Sequence, residues 1–510
     1  MNENKINGRQ LIVLDPFLLF QMGRTLPVPF QIKYTEDLNC CTKVLNCIKV
    51  LRLLPQRRIV CQALMDASEL QGNKSIIVKI FFHPDKAEND FNNEITGYEL
   101  LKKTGILIPQ RLSYGSFTNA DKTHKAYCVL YEQIQTQTTL EDVISFKPDA
   151  KSEHYIKQLM TLVAAMHISY VQQIDLHLNN FLVDQENEKI YTLDCGDVSE
   201  LSSSVSKQLN QIHKNLADVL SQLPIIYDQF LEIFLHAYQQ QMAPGFTISQ
   251  KQIERHIQKW RHWRIRKYVQ KAARNCSEFR YEKSWSLLKV VQRDYSSGPW
   301  LSFYRRLDEL TESSERLKDG NTATVALAEC AEQKVVIKRY NIKNFRHRLS
   351  RFWRPTRAWK TWQNAHQLHV LGIKTPKPIA VIEQRSGWFR GKAFYLSEYE
   401  PAPDALSVLS EQQSLSKNTL QDFEQLFMAM ILSRMSHGDL KANNILLTEN
   451  GLTLIDLDAM QFHSNDRQFK KAFRRDLKRF IKNWPETSTV HRQFSELVTK
   501  ILQHIGVTQI

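Results

Sequence analysis

The sequence predicts an α+β protein made of two tandem copies of one unit, each a small β-rich lobe followed by a helical lobe. Two observations carry this. First, four blocks recur in the same order: IIVKIFF (76–82) with VVIKRY (335–340), TGILIP (104–109) with LGIKTP (371–376), DLHLNNFLV (175–183) with DLKANNILL (439–447), and YTLDCGD (191–197) with LTLIDLD (452–458). Their spacings stay nearly constant, at 259 residues for Lys79 to Lys338, 267 for Gly105 to Gly372, 264 for Asp175 to Asp439 and 262 for Asp194 to Asp456. Ordered recurrence at one long period marks a duplicated structural unit. Second, each copy passes through the same succession of strand-like and helix-like hydrophobic patterns.

Taken in order, copy one begins with apolar strands that carry Lys79, followed by a helical pattern over 89–103. The strand YCVLYEQ (127–133) ends on an acid, and an amphipathic helix follows near 153–167. A polar loop, a short strand and a second acidic turn close the core, and 214–241 continue as a helical tail. Copy two repeats the plan with the strand FYLSEYE (394–400) and a helix over 418–435. The boundary is expected near 275–300, around the SSGP of 296–299. This gives domains at 1–280 and 281–510, with lobes at about 30–133, 134–280, 285–400 and 401–510.

Composition narrows the class. A hydrophobic share of 42% supplies packed cores, and 16 Gly with 16 Pro exclude low-complexity architecture. No apolar run reaches the ~18 residues of a membrane span, because Asp15 and Pro16 interrupt LIVLDPFLLF. Eight cysteines without a C-x-x-C pair fit buried thiols in a reducing compartment, so a cytoplasmic location is expected. The net charge of +15 concentrates at 260–274, 345–360 and 469–484. In the last segment Phe469, Ala472, Phe473, Leu477, Phe480 and Ile481 fall on one helical stripe opposite a face of Lys and Arg. Such faces attract anions.

The repeated blocks hold what phosphoryl transfer from ATP requires: a cation for the phosphates, hard oxygen ligands for Mg²⁺, and a carboxylate beside the acceptor hydroxyl. Asp175 and Asn180 stand five residues apart, as do Asp439 and Asn444. In a kinase catalytic loop that spacing joins the catalytic base to a metal ligand. A short apolar strand then leads to the second metal position, Asp194 or Asp456. Lys79 and Lys338 are expected to bind the ATP phosphates, and Glu94 to orient Lys79, with Glu99 the alternative. Copy two has no acid between Lys338 and Pro376, where Gln363, Asn364 and His366 occupy the comparable helix. A glycine-rich phosphate loop is incomplete in both copies. DGNTATV (319–325) has one Gly, and RRIVCQALMD (57–66) has none.

With RPTRAW (354–359), LGIKTPKPIAVIE (371–383), HGDLKANNILL (437–447), LIDLDAM (454–460) and RRDLKRFIKNW (474–484), copy two resembles the bacterial lipopolysaccharide core kinase (Kdo/WaaP) family, a branch of the protein-kinase-like fold. Copy one resembles the same superfamily through 78–101, GILIP (105–109) and QIDLHLNNFLV (173–183). The resemblance implies two tandem protein-kinase-like domains, at least one of them active, with ATP and Mg²⁺ as cofactors. It implies a heptose or Kdo hydroxyl of the lipopolysaccharide inner core as acceptor, reached peripherally at the inner face of the inner membrane. Core-assembly enzymes are further partners, and no nucleic acid is expected. Within the resemblance, Asp175 and Asp439 are catalytic bases. Asn180, Asp194, Asn444 and Asp456 hold Mg²⁺, and Lys79, Lys338 and Glu94 serve ATP. The D-L-D of 456–458 is a family trait, and Gln173 departs from the usual loop His. Two alternatives stay open: a protein Ser/Thr kinase, and a pseudokinase scaffold for core-assembly enzymes.

Overall fold

The computed structural model describes residues 26, 28–37, 41–65, 75–118, 125–320, 323–341, 355–387 and 389–507, with three two-residue strands between 5 and 13. Most of the basic segment 345–360, including Phe352 and Trp353, lies outside the described residues, as do two residues of 319–325. Two compact units emerge. One comprises Met1–Ile144, Ala150–Val219 and Glu232–Ile253, and the other Ser145–Asp149, Leu220–Leu231 and Glu254–Ile510.

The first unit opens with strands β1 (Ile12–Val13), β2 (Phe30–Glu36), β3 (Thr42–Leu54), β4 (Arg58–Met65) and β5 (Ser75–Phe81). Helix α1 (Ala87–Lys103) follows, then β6 (Arg111–Thr118) and β7 (Lys125–Glu132). Their order is β1-β2-β3-β4-β5-β7-β6, and β2 also pairs with β6, so the sheet curls back on itself. Ile32, Leu45, Ile59, Cys61, Ile76, Val78, Ile80, Cys128 and Leu130 fill its interior. Strand residues alternate faces, so the pleat that sends Val78 and Ile80 inward turns Lys79 outward. Acids in the first turn of α1 and lysines in its last complement the helix dipole.

The helical lobe of this unit contains α2 (Leu140–Val143), α3 (Ala150–Ile168), β8 (Val171–Gln173), β9 (Phe181–Asp184), β10 (Lys189–Thr192), β11 (Val198–Glu200), α4 (Val205–Leu220) and α5 (Leu231–Gln239). The tail expected as helical over 214–241 breaks at Pro224, where a 3-10 stretch, Ile225–Phe230, intervenes. Helix α6 (Gln250–Lys271) runs on into the second unit's residues.

The second unit's sheet starts at β12 (Phe279–Lys283) and β13 (Leu287–Gln292), ahead of SSGP, so that segment lies inside the unit. Helices α7 (Pro299–Arg305) and α8 (Leu307–Ser313) precede β14 (Glu315–Gly320), β15 (Ala323–Cys330) and β16 (Gln333–Tyr340). Then come α9 (Arg357–Leu371), β17 (Pro378–Ser386) and β18 (Phe389–Glu398). The order is β12-β13-β17-β18-β16-β15-β14. As in the first unit, the lysine strand pairs with the strand that ends on an acid.

Its helical lobe holds α10 (Ala405–Leu409), α11 (Lys417–Leu432), α12 (Asp466–Ile481) and α13 (Thr489–His504), packed on Phe423, Phe427, Phe480, Trp484 and Phe494. The apolar stripe of 469–481 is buried as expected, and Asp476 is buried with it. No described helix is long and apolar enough to cross a membrane.

Candidate active sites

In the first unit Lys79 Nζ lies 2.6 Å from Glu94 Oε1, 3.1 Å from Leu193 O and 3.5 Å from Asp194 Oδ1. Glu94 is fully buried and also accepts a hydrogen bond from Tyr131 OH at 2.8 Å. Glu99 instead pairs with Arg111 at 2.7 Å. Burial alone would lower the Lys79 ammonium, but Glu94 and Asp194 outweigh it and hold it above its ordinary range. Burial would raise Asp194, yet Lys79 and Arg58 pull it down to about 2. Helix α1 reaches this turn because residue 97 is glycine. A Cβ there would sit 1.8 Å from the Cys195 carbonyl oxygen.

The loop residue Asn180 lines the same cavity as Lys79 and Asp194. Asn180 Nδ2 donates to the Asp175 carbonyl at 3.1 Å, which turns its Oδ1 the other way. Leu193 N donates to Asn180 O at 2.8 Å and ties the loop to the strand leading to Asp194. His177 Nε2 lies 3.2 Å from Asp175 Oδ1. Gln173 is fully buried and donates from Nε2 to the Asp194 carbonyl at 2.7 Å. A cavity of about 440 Å³ is lined by Val60, Ile77 and Leu182 on its apolar side and by Lys79, Asn180 and Asp194 on its polar side.

The second unit brings the matching residues together differently. Lys338 Nζ lies 2.6 Å from Asp456 Oδ1 and 2.7 Å from Asp458 Oδ1. Asp458 is fixed by Tyr340 OH at 2.5 Å and by Thr361 Oγ1 on α9 at 3.0 Å. Asn364 Nδ2 donates to the Leu457 and Met460 carbonyls, so α9 grips the D-L-D turn itself. Burial would raise Asp456, but Lys338 brings it below its ordinary value. Asp456 also occupies the left-handed region, at φ 61°, a conformation that costs a non-glycine residue about 1 kcal/mol or more. Asn444 Nδ2 donates to Asp439 O at 2.9 Å, and His437 Nε2 lies 3.0 Å from Ile455 O. A cavity of about 600 Å³ is walled by Lys338, Asn444, Asp456 and Asp458 together with Val325 and Leu446.

Several contributors escape the sequence reading. RRIVCQALMD forms strand β4 for most of its length. The tight turn lies earlier, at 55–57, with Gln56 at φ 60°. From the start of β4, Arg58 Nη2 reaches 3.6 Å from Asp194 Oδ2, while in the other unit Lys318 Nζ stands 3.7 Å from Asp456 Oδ2. Cationic side chains thus occupy the rim where a glycine-rich loop would offer amides. Buried Asp476 accepts from the His437 and Gly438 amides at 2.6 and 3.0 Å and holds the loop from below. A lone acid in a basic helix stripe was the available signal.

Each unit thus brings a strand lysine, a loop asparagine and the aspartate after the following strand to the wall of one cavity, while Asp175 and Asp439 are not among the residues that line these two cavities. Among known sequences, residues 306–500 match the Lipopolysaccharide kinase (Kdo/WaaP) family. A 3-deoxy-D-manno-octulosonic acid kinase from Vibrio cholerae serotype O1 is 27% identical over 141 residues, which cover 26% of this chain and 59% of that relative. Solved structures with similarity include WaaP in complex with acyl carrier protein, at 17% identity, TM-score 0.30, and 43% and 86% coverage of this chain and that one. The Cydia pomonella granulovirus kinase PK-1 follows at 15% identity, TM-score 0.23, and coverage of 31% and 55%. The family match falls within the second unit.

Proposed function

We propose that the chain is an ATP-dependent kinase that phosphorylates a sugar hydroxyl, heptose or Kdo, of the lipopolysaccharide inner core, using two tandem protein-kinase-like domains of which at least one is active. The observation that carries this reading is the assembly of Lys79, Asn180 and Asp194 on one cavity wall and of Lys338, Asn444 and Asp456 on another. The family match at 306–500 supports the acceptor class.

In this reading Lys79 and Lys338 neutralise the ATP phosphates, and Asp175 and Asp439 orient the acceptor hydroxyl and take its proton. The metal positions fit a hard cation. Each asparagine spends its amide nitrogen on the loop carbonyl, leaving its oxygen for a metal beside the second aspartate. Asn180 with Asp194, and Asn444 with Asp456, would hold Mg²⁺, which offsets charge on the transferring phosphoryl group. Phosphate oxygens and water would complete the coordination beside these two side chains.

Peripheral contact with anionic lipid is assigned to helix α6, whose exposed residues include Lys251, Arg255, Lys259, Arg266 and Lys267 around Trp263, which is 49% exposed. The function is tested by incubating the full chain with Mg²⁺, ATP and purified inner-core glycolipid. Mass spectrometry should find one added phosphoryl group on the glycolipid. Phosphate appearing on lysate protein and not on glycolipid would contradict the proposal.

A further inference from the structure

The duplication lets each residue around one catalytic loop be compared with its twin. Helices α4 and α12 each span 16 residues and begin 261 positions apart, which pairs Asn215 with Asp476 and Asp218 with Arg479. The pairing is physical as well. Asn215 Nδ2 donates to the Gln173 carbonyl, and Asp476 accepts from the amides of His437, the residue matching Gln173, and of Gly438. Tyr170 and Arg434, just before the two loops, both take positive φ, at 58° and 49°.

Around that shared frame the acceptor-side residues diverge in charge. Beside Asp439, Arg479 Nε lies 2.8 Å and Lys441 Nζ 3.6 Å from Oδ1. The first unit carries Asp218 at the Arg479 position and His177 at the Lys441 position. It also has Ile174 and Tyr170, each 61% exposed, where the second has Gly438 and Arg434.

Arg479 Nε faces Asp439 Oδ1 as an ion pair without hydrogen-bond geometry, and the side chain is 48% exposed. The two Nη groups are therefore available for bidentate binding of a carboxylate or phosphate.

We propose that Arg479 selects the acceptor of the second unit by binding an anionic group, carboxylate or phosphate, next to the reacting hydroxyl. The inference rests on the kinase reading. With the anion held by Arg479, Asp439 takes the hydroxyl proton. The acceptor oxygen bonds to the γ-phosphorus, the bond to the bridging oxygen breaks, and ADP leaves with that electron pair.

The test uses the full-length chain carrying Asp175→Ala, so that transfer reports the second unit. Three acceptors are compared: a sugar acid, its carboxamide, and a neutral sugar bearing a phosphate monoester. A charge-assisted bidentate contact predicts that the anionic acceptor is favoured by about 10-fold or more in kcat/KM. Arg479→Gln should bring the ratio close to one, chiefly through KM, and Arg479→Lys should keep part of it. Preference for the acid or for the phosphomonoester identifies which anion is read. An unchanged ratio in Arg479→Gln overturns the inference. So does an equal fall on all three acceptors, which would leave the arginine as a loop support only. Absence of transfer to any sugar by the unmutated chain would instead overturn the kinase reading, and this inference with it.

Discussion

Asp458 Oδ1 stands 2.7 Å from Lys338 Nζ, so the second unit's lysine is held from the turn two residues past Asp456. In the first unit the corresponding grip comes from Glu94 on α1, at 2.6 Å. One electrostatic task is met from two different elements. Helix α9 still contributes, since its Thr361 hydroxyl holds Asp458 in place. The missing helix acid and the unusual D-L-D turn are therefore a single compensated change.

Asp458→Gly would restore the D-x-G form of the turn while removing that grip. In a chain whose first site is silenced by Asp194→Ala, we expect Mg²⁺-dependent ATP binding to weaken by about 10-fold, one charge-assisted contact's worth. Asp458→Asn should fall between the two. Calorimetric titration with ATP measures both, and unchanged affinity in Asp458→Gly would show that Lys338 needs only Asp456.

Lys79→Met leaves Glu94 buried without its cation. Breaking a buried pair from one side costs about 3–5 kcal/mol, and the denaturant midpoint should fall accordingly. The double variant Lys79→Met with Glu94→Leu should recover a large part of that loss, since the Glu94 charge is gone and Arg58 still faces Asp194. Equal instability of the single and double variants would place the cost in packing.

Gly97→Ala should act at a distance from the chemistry. Its Cβ would lie 1.8 Å from the Cys195 carbonyl oxygen, so α1 must move away from the Asp194 turn. Overpacking of this kind costs roughly 1–3 kcal/mol. We expect a lower midpoint together with weaker ATP binding, because Glu94 is carried on the same helix. A fall in stability with unaltered nucleotide affinity would separate the helix position from the site.

His167 provides a pH dependence. It is buried between Tyr238 OH at 2.9 Å and Asn215 Oδ1 at 3.0 Å, and burial lowers it to about 4. The unfolded chain takes up this proton from about pH 6.5 downward, while the folded chain resists until about pH 4. Stability is thus present above that window and declines as pH falls through it, by about 3 kcal/mol for this group. Urea midpoints at pH 7 and pH 5 should show the decline, and His167→Gln should flatten it. An equal decline in the variant would assign it to other groups.

Much of each site was legible because its parts are local in sequence. Asp175 with Asn180, and Asp439 with Asn444, lie on single loops, and the strand pleat alone turns Lys79 and Lys338 away from the sheet interior. What was hidden is long-range. Asp458 meets Lys338 across 120 residues. Arg58 meets Asp194 through the placement of β4, a segment whose position before Lys79 suggests a phosphate loop although it has no glycine. The division was obscured because Ser145–Asp149 and Leu220–Leu231 group with the second unit, and helix α6 runs through the junction. A hydrophobic pattern reports burial and is silent about which core receives the residue.

The most direct test of the central claim is transfer of labelled γ-phosphate from ATP to inner-core glycolipid by the full chain, compared with Asp175→Ala, Asp439→Ala and the double variant. The unmutated chain should transfer phosphate, at least one single variant should lose transfer, and the double variant should show none. Transfer that survives in the double variant, or none by the unmutated chain, would rule out the proposed kinase activity of these two loops.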